Sequence, residues 1–276
     1  MTFSERNALF KVGIVICTIS TLLILAVSFL VVPSYQTINE NFSRPAGFLH
    51  AFISRILDFD YLAVHVSVIL AVLFSINGIV LIHYFFEQTS APEILYIAFF
   101  TISFSFEIIR LILPLHFIFN IPSLYMLLTS RLLLFTRYFG IFSLFAAGIC
   151  AAGLEAQKAS IVILVIIIAA LIITFSVPID TQNWDTSFNI VNGYISMFRL
   201  IETIAFITTI LSFLIAVNVR GSKDYAYIGL GVLIALIGRN LLISADNWVF
   251  SILGVLLLSA GTWFICLKLH TIHLWL

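Results

Sequence analysis

Residues 94–118 read ILYIAFFTISFSFEIIRLILPLHFI, an apolar stretch long enough to cross a bilayer that nevertheless carries Glu107 and Arg110. A hydrocarbon core of about 30 Å is crossed by about 20 apolar residues in helical form. A charged side chain at mid-helix costs about 2.5–3.5 kcal/mol on insertion scales, so such residues persist where they pair, face water or hold a ligand. This stretch therefore predicts a transmembrane helix with a polar site inside it.

The composition places the whole chain in the same class. Of its 276 residues, 62% are hydrophobic and 9% are charged, a balance that soluble domains do not show. The formal net charge is zero, which argues against a nucleic-acid partner because phosphates are neutralised by clustered Lys and Arg. Cys17, Cys150 and Cys266 are isolated within apolar stretches, so neither a disulfide framework nor a CxxC pair is predicted.

Windows of apolar sequence predict eight transmembrane helices. They fall near residues 9–32, 61–86, 94–118, 123–153, 159–177, 190–218, 225–244 and 247–268. The turns at 120–123 and 244–247 are so short that spans three and four, and spans seven and eight, are predicted to form tight helical hairpins. The predicted fold class is therefore all-α, a polytopic membrane helical bundle of eight spans.

Basic residues between the spans predict the orientation of the bundle. Six of them share the side of both termini and two lie on the other side: Arg6, Lys11, Lys158, Arg220, Lys223 and Lys268 against Arg44 and Arg55. The positive-inside rule then makes both termini cytoplasmic, and we expect a bacterial inner membrane. The first span is too long for a signal peptide and lacks a small-residue cleavage site.

Short internal similarities predict a tandem repeat. The sequence RILD at 55–58 is echoed by RLIE at 199–202, and one tyrosine-to-arginine interval occurs in two spans, Tyr96 to Arg110 and Tyr225 to Arg239. We expect two four-helix halves, residues 1–154 and 155–276, in parallel orientation because each half has an even number of spans. Chance similarity between apolar segments of low diversity is the alternative interpretation.

Seven charged residues inside the spans form the candidate site. They are Arg110, Arg131, Arg137, Arg199 and Arg239, with Glu107 and Glu202 as pairing residues. At 1.5 Å per residue, all of these arginines except Arg137 are placed in one layer of the outer half. The spacing of three residues predicts ion pairs within single helices, Glu107 with Arg110 and Arg199 with Glu202. The remaining three arginines would then give a surplus of three positive charges.

This surplus predicts an outward-facing pocket for an anion. The planar guanidinium group of arginine holds a carboxylate or a phosphate with two hydrogen bonds and does not deprotonate. We therefore expect a receptor-like, sensory or accessory protein that binds an anionic small molecule or a lipid headgroup. A small anion transporter is one alternative. In a second alternative interpretation, the arginines bind backbone carbonyls and extend toward lipid headgroups without any ligand.

Two further segments have predicted roles in binding. Residues 46–59 place apolar side chains on one helical face, so an amphipathic helix on the outer surface is expected, where it could cover the bundle. Residues 269–276 extend the last span with apolar and aromatic side chains. They are expected either to dock a membrane or cytoplasmic protein partner or to anchor the chain at the interface.

Histidines could indicate a haem or metal site, and short motifs could indicate an enzyme. His65 and His116 fall at similar depth in spans two and three, yet nothing in their spacing fixes a haem or metal geometry. No cofactor is therefore predicted. The chain has no GxSxG, HExxH, phosphate-binding loop or dinucleotide fingerprint. An adjacent arginine should also keep each glutamate ionised, which suits a general acid poorly, so no enzyme activity is predicted.

Overall fold

The computed structural model describes residues 3–39, 58–87, 91–154 and 158–274. Of the described residues 86% are helical, and eight helices in these ranges are long and apolar enough to cross a membrane. The predicted multi-pass bundle of eight helices is therefore confirmed. The predicted outer amphipathic segment lies outside the described residues up to position 57.

The helices follow the predicted spans closely. They are α1 (Phe3–Asn39), α2 (Tyr61–Phe86), α3 (Pro92–Ser103), a 3-10 helix (Phe104–Leu111), α4 (Ile112–Phe119), α5 (Ser123–Ala151), α6 (Ala159–Ser176), α7 (Ile195–Arg220), α8 (Asp224–Ile243) and α9 (Trp248–Leu274). Span three thus consists of α3, the 3-10 helix and α4. We call the end that carries the turn between α4 and α5 the outer end, following the predicted orientation.

A β-hairpin between α6 and α7 was not predicted. Its strands are β1 (Ile179–Trp184) and β2 (Ile190–Asn192), which pair antiparallel with a break in register between Asp180 and Trp184. Span six was predicted to begin at residue 190, and this start is wrong because the chain enters the helix only at Ile195. The hairpin lies at the outer end of the bundle, where its tip contacts the charged layer described below.

Six spans form a closed ring of contacts. Helix α2 packs against the 3-10 helix, α3 against α5, α5 against α7, α7 against α8, α8 against α9, and α9 against α2. Outside this ring, α1 packs on α2 and α6 packs on α5. One buried apolar cluster contains residues from both predicted halves, including Phe100 and Phe213.

Helices α8 and α9 approach each other through glycines. A Cβ atom on Gly238 would lie 2.3 Å from the backbone nitrogen of Leu258, and one on Gly261 would lie 2.6 Å from the backbone nitrogen of Ala235. Both obstacles are backbone atoms, so a change of rotamer cannot make room. Such close approach between helices is a common use of small residues in membranes.

This contact makes Gly238 a sensitive position for stability. We expect Gly238→Ala to lower the free energy of unfolding by about 1–3 kcal/mol, because the added methyl group overpacks a backbone contact. Gly229→Ala, on the same helix, is the matched control, since its Cβ would meet only the Cβ of Phe213, at 3.3 Å. Thermal unfolding in detergent measures both variants. Equal losses in the two variants would contradict the proposed contact.

The outer ends of α2 and α9 are joined by polar contacts of Asp60. Its carboxylate accepts hydrogen bonds from the backbone nitrogen of Leu62, at 2.9 Å, and from Nε1 of Trp248, also at 2.9 Å. Asp60 thereby caps the N-terminus of α2. The hydrogen bond from the Trp248 indole therefore connects the outer ends of α2 and α9.

Candidate functional site

Span three changes from α-helix to 3-10 helix where its charges lie. The hydroxyls of Ser103 and Ser105 donate to the carbonyls three residues earlier, at 2.6 and 2.8 Å. Pro114 follows the segment and has no backbone N–H to offer. A 3-10 segment of eight residues within a longer helix is uncommon and often marks a hinge or local strain. It carries Glu107 and Arg110, both of which are buried.

Glu107 is the centre of a buried ionic network that joins span three to α5. Its two carboxylate oxygens accept from Nε and Nη2 of Arg137 at 2.7 and 2.6 Å, a bidentate pair. Nη1 of Arg110 is also close, at 3.8 Å. The predicted pair of Glu107 with Arg110 is thus present as a longer contact. The expectation that Arg137 lacks an acidic partner is wrong, because residue spacing identifies pairs only within one helix.

The hairpin tip supplies the other partners of these two arginines. The backbone carbonyl of Ser187 accepts from Nε and Nη2 of Arg110 at 2.9 and 2.5 Å. The side-chain oxygen of Asn189 accepts from Nη2 of Arg137 at 2.8 Å. Neither Ser187 nor Asn189 was predicted as a site residue. Their position among short polar residues between two apolar spans could have indicated a role in the site, but the same pattern is typical of any loop.

A second ion pair joins α8 to α7. Nη1 of Arg239 donates to Glu202 at 2.6 Å and to the side-chain oxygen of Asn240 at 3.0 Å. The predicted pair of Arg199 with Glu202 is wrong, because Glu202 lies against Arg239 instead. Arg239 was expected to be unpaired, and this expectation is corrected by the same contact.

The two remaining arginines differ in their surroundings. Arg131 donates to the backbone carbonyl of Thr174, and its guanidinium lies 5.7 Å from the centre of the Phe175 ring. This contact is the one expected if Arg131 stabilises the fold by binding a backbone carbonyl and holds no ligand. Arg199 is exposed, and its guanidinium makes no hydrogen bond or ion pair with any residue that the structure describes. Its guanidinium is available for a ligand.

A polar cavity of about 650 Å³ lies between α5, α7, α8 and the hairpin. Its polar lining consists of Arg137, Tyr138, Asp185, Asn189, Arg199, Glu202, Arg239, Asn240 and Ser244. Three of the five predicted arginines therefore meet at one cavity. Arg110 lies behind the hairpin tip, and Arg131 is not among the lining residues.

The charge of this region is smaller than predicted. Together with the network behind it, the cavity brings four arginines near three carboxylates, Glu107, Glu202 and Asp185. The surplus is thus one positive charge instead of three, because Arg131 lies elsewhere and the hairpin adds Asp185. Glu107 and Glu202 have arginine partners, whereas the Arg199 guanidinium lines the cavity with no hydrogen-bonded or ion-paired partner among the described residues.

The two histidines considered for haem or metal have separate partners. Nε2 of His65 lies 2.8 Å from the hydroxyl of Ser28, and Nδ1 of His116 lies 2.6 Å from the carbonyl of Ile121. The His116 ring also stacks on Trp184 of the hairpin. Among the described residues, no group of three or more His, Cys, Asp or Glu side chains is placed to hold a metal ion.

Comparison with protein-family models, with curated proteins and with solved structures gives no match for this chain. The fold and the cavity are therefore the basis on which a function is inferred.

Proposed function

We propose that this integral membrane protein binds an oxyanion in the cavity between α5, α7 and α8, and that it acts as a receptor-like, sensory or accessory protein. The observation that carries this proposal is the exposed guanidinium of Arg199, which faces the cavity beside the Arg239–Glu202 pair and has no partner among the described residues. A charge-assisted hydrogen bond to an anion would satisfy it.

The neighbouring groups suit a ligand of small size. A volume of about 650 Å³ falls in the usual range of small-molecule pockets, about 300–1,000 Å³. Asn189, Asn240 and Tyr138 add neutral hydrogen-bonding groups to the lining of the same cavity. The carboxylates of Glu202 and Asp185 also line the cavity and would disfavour a ligand that carries several negative charges near them. We therefore propose a phosphate or carboxylate group as the recognised element, with binding as its role and no catalysis.

The ligand has two chemically equivalent sources. Arg199 lies about one helical turn after Ile195, where α7 begins, so its guanidinium is at a depth that a lipid headgroup or a soluble anion can reach. Arginine binds either source through the same oxygens. The predicted orientation, with cytoplasmic termini in a bacterial inner membrane, would open this cavity to the periplasm.

A tandem repeat is also part of this proposal. Helix α2 contacts span three, which contacts α5, and in the same way α7 contacts α8, which contacts α9. The two groups of three helices contact each other through α5 with α7 and through α9 with α2. This arrangement supports two related three-helix units. Helices α1 and α6 do not follow the same order, since α1 packs on α2 and α6 packs on α5.

A receptor-like role requires a partner chain for its signal, and the end of α9 is the proposed docking segment. Leu269 is buried, and the His270 ring lies 5.7 Å from the ring of Phe85. The first part of the segment 269–276 is therefore held by the bundle. We propose that the residues after it reach a membrane or cytoplasmic protein.

Transport of a small anion is the second candidate function, and the 3-10 helix favours it. Transporters often carry their substrate sites at interruptions of transmembrane helices, and span three is interrupted at Glu107 and Arg110. The two candidates differ in whether the anion crosses the membrane.

Proteoliposome flux and thermal stabilisation separate these functions. Inorganic phosphate, sulfate and acetate are supplied to the purified protein, and flux and unfolding temperature are measured for each anion. Stabilisation without flux supports a receptor, whereas stabilisation with flux supports a transporter. If no anion stabilises the protein, in detergent or in vesicles that contain an anionic lipid, the proposed site is wrong.

A further inference from the structure

The hairpin tip, defined here as residues 185–189, presents two neutral oxygens to two arginines. The Ser187 carbonyl accepts from Arg110, and the Asn189 side-chain oxygen accepts from Arg137. Both guanidinium groups also share the Glu107 carboxylate. A charged oxygen is a stronger acceptor for a guanidinium than a neutral carbonyl or amide oxygen. The tip therefore occupies positions where an oxyanion would bind more strongly.

Arg110 retains hydrogen-bonding capacity that the tip does not use. Its Nε and Nη2 both donate to the single carbonyl oxygen of Ser187. Its Nη1 is buried and makes no hydrogen bond with any residue in the described ranges. A guanidinium has five N–H donors in a fixed fork, so an acceptor with several oxygens would use more of them.

The backbone of the hairpin is held in an unusual conformation. Phe188 at the tip has φ +59°, and Tyr194, just before α7, has φ +54°. Positive φ is uncommon for bulky residues, and such conformations concentrate at ligand clamps and switch regions. The sheet has only two strands with a break in register, and an isolated two-stranded hairpin is marginally stable. The strands themselves therefore hold the tip in place only weakly.

Contacts of the tip with the bundle oppose its release. The Phe188 ring is buried and stacks on Tyr61 with ring centres 6.2 Å apart. The side-chain nitrogen of Asn189 donates to the carbonyl of Ile243 at 3.4 Å. Release of the tip must withdraw the Phe188 ring from an apolar cluster, so the inserted state is the stable one in the absence of a competing ligand.

We infer that Arg110 and Arg137 form a second, deeper oxyanion subsite, which the hairpin tip fills until a phosphate-type ligand displaces it. This inference rests on the proposed function, because the ligand would arrive through the cavity that Arg137 and Asn189 line. A phosphate monoester fits this subsite since its three terminal oxygens can accept from the several N–H donors of two guanidinium groups, which together with Glu107 keep one positive charge. Inorganic phosphate and a phosphatidate headgroup share this chemistry.

Thiol labelling measures the displacement directly. Ser187→Cys keeps the backbone carbonyl and places a thiol at a position that is 1% exposed. The protein in nanodiscs is treated with a membrane-impermeant maleimide, with and without inorganic phosphate, and in parallel with and without phosphatidate in the lipid. We expect either probe that fills the subsite to raise the labelling rate about tenfold or more, since it shifts the population of the released tip.

Thr186→Cys is the matched control, because Thr186 is adjacent and already exposed. Its labelling rate should not respond to either probe. The wild-type protein gives the background, since its three cysteines are all buried. A response to phosphate alone identifies a soluble ligand, and a response to phosphatidate alone identifies a lipid headgroup. Thermal stabilisation without faster labelling at Ser187→Cys overturns the inference but leaves the proposed function standing. Stabilisation by neither probe overturns both.

A second variant does not depend on the introduced thiol. Phe188→Ala removes the ring that holds the tip in the apolar cluster, so the released state becomes more populated. We expect the apparent affinity for inorganic phosphate to rise about tenfold, because less of the binding free energy is spent on displacement. If the hairpin tip instead stays in place when phosphate binds, the affinity of this variant for phosphate will be unchanged or lower, and the inference is wrong.

Discussion

Glu107→Gln should destabilise the protein by about 3–5 kcal/mol, the usual cost of removing one partner of a buried ionic network. The carboxylate is only 2% exposed, and it is the acidic partner of both Arg110 and Arg137. A glutamine of the same size keeps the packing but leaves two guanidinium groups with neutral acceptors only. The unfolding temperature, or the free energy of unfolding in mixed micelles, measures this effect.

Glu202→Gln is the matched control for this prediction. The Glu202 side chain is 31% exposed and pairs with the single guanidinium of Arg239, so we expect a loss of only about 1 kcal/mol. If the two variants lose stability equally, the network around Glu107 is hydrated and is not the rigid support of the site that its burial indicates.

Arg199→Gln should weaken oxyanion binding by about tenfold to a hundredfold, the equivalent of one charge-assisted hydrogen bond of about 1.5–3 kcal/mol. Its stability should stay within about 0.5 kcal/mol of the wild type, because exposed side chains without partners contribute little to folding. Titration with inorganic phosphate, followed by thermal shift or calorimetry, measures the affinity.

Arg131→Gln is the matched control for Arg199→Gln, because it should change stability and not phosphate affinity. Arg131 is also an outer arginine, but it donates to the Thr174 carbonyl and does not line the cavity. We expect this variant to lose about 1 kcal/mol of stability, the value of one hydrogen bond, and to keep its affinity for phosphate. An equal loss of affinity in the two variants would show that the anion responds to general surface charge.

The helices were predictable from the sequence because long apolar runs are a strong and local signal. The hairpin was not, since Ile190, Val191 and Ile195 are apolar enough to extend span six toward its start. Pro178 and Gly193 interrupt this region, and the side chain of Pro178 packs close to Gly193. Together these two residues mark the turn-rich segment more accurately than hydropathy did.

The partners of the charged residues could not be predicted from their positions along the helices. Counting residues places a side chain along a helix, whereas partners on other helices depend on how each helix is rotated, which one sequence does not reveal. Arg137 with Glu107 and Arg239 with Glu202 are both contacts between helices.

The separation of Arg131 from the residues that line the cavity could have been predicted from the sequence. Arg131 and Arg137 are six residues apart on α5, a rotation of about 240°, so they cannot face the same cavity. The same reasoning keeps Arg199 and Glu202 on one face of α7, where both do line the cavity although they do not pair. Helical rotation would thus have separated Arg131 from the other site residues.

The central claim is that an oxyanion binds among Arg137, Arg199 and Arg239, and selenate tests it most directly because its selenium gives an anomalous X-ray signal. Crystals of the protein grown with selenate should show an anomalous peak inside the cavity, within about 4 Å of the Arg199 guanidinium, the range of a charge-assisted contact. Peaks confined to the membrane-exposed surface, with an unoccupied cavity at saturating selenate, would contradict the claim.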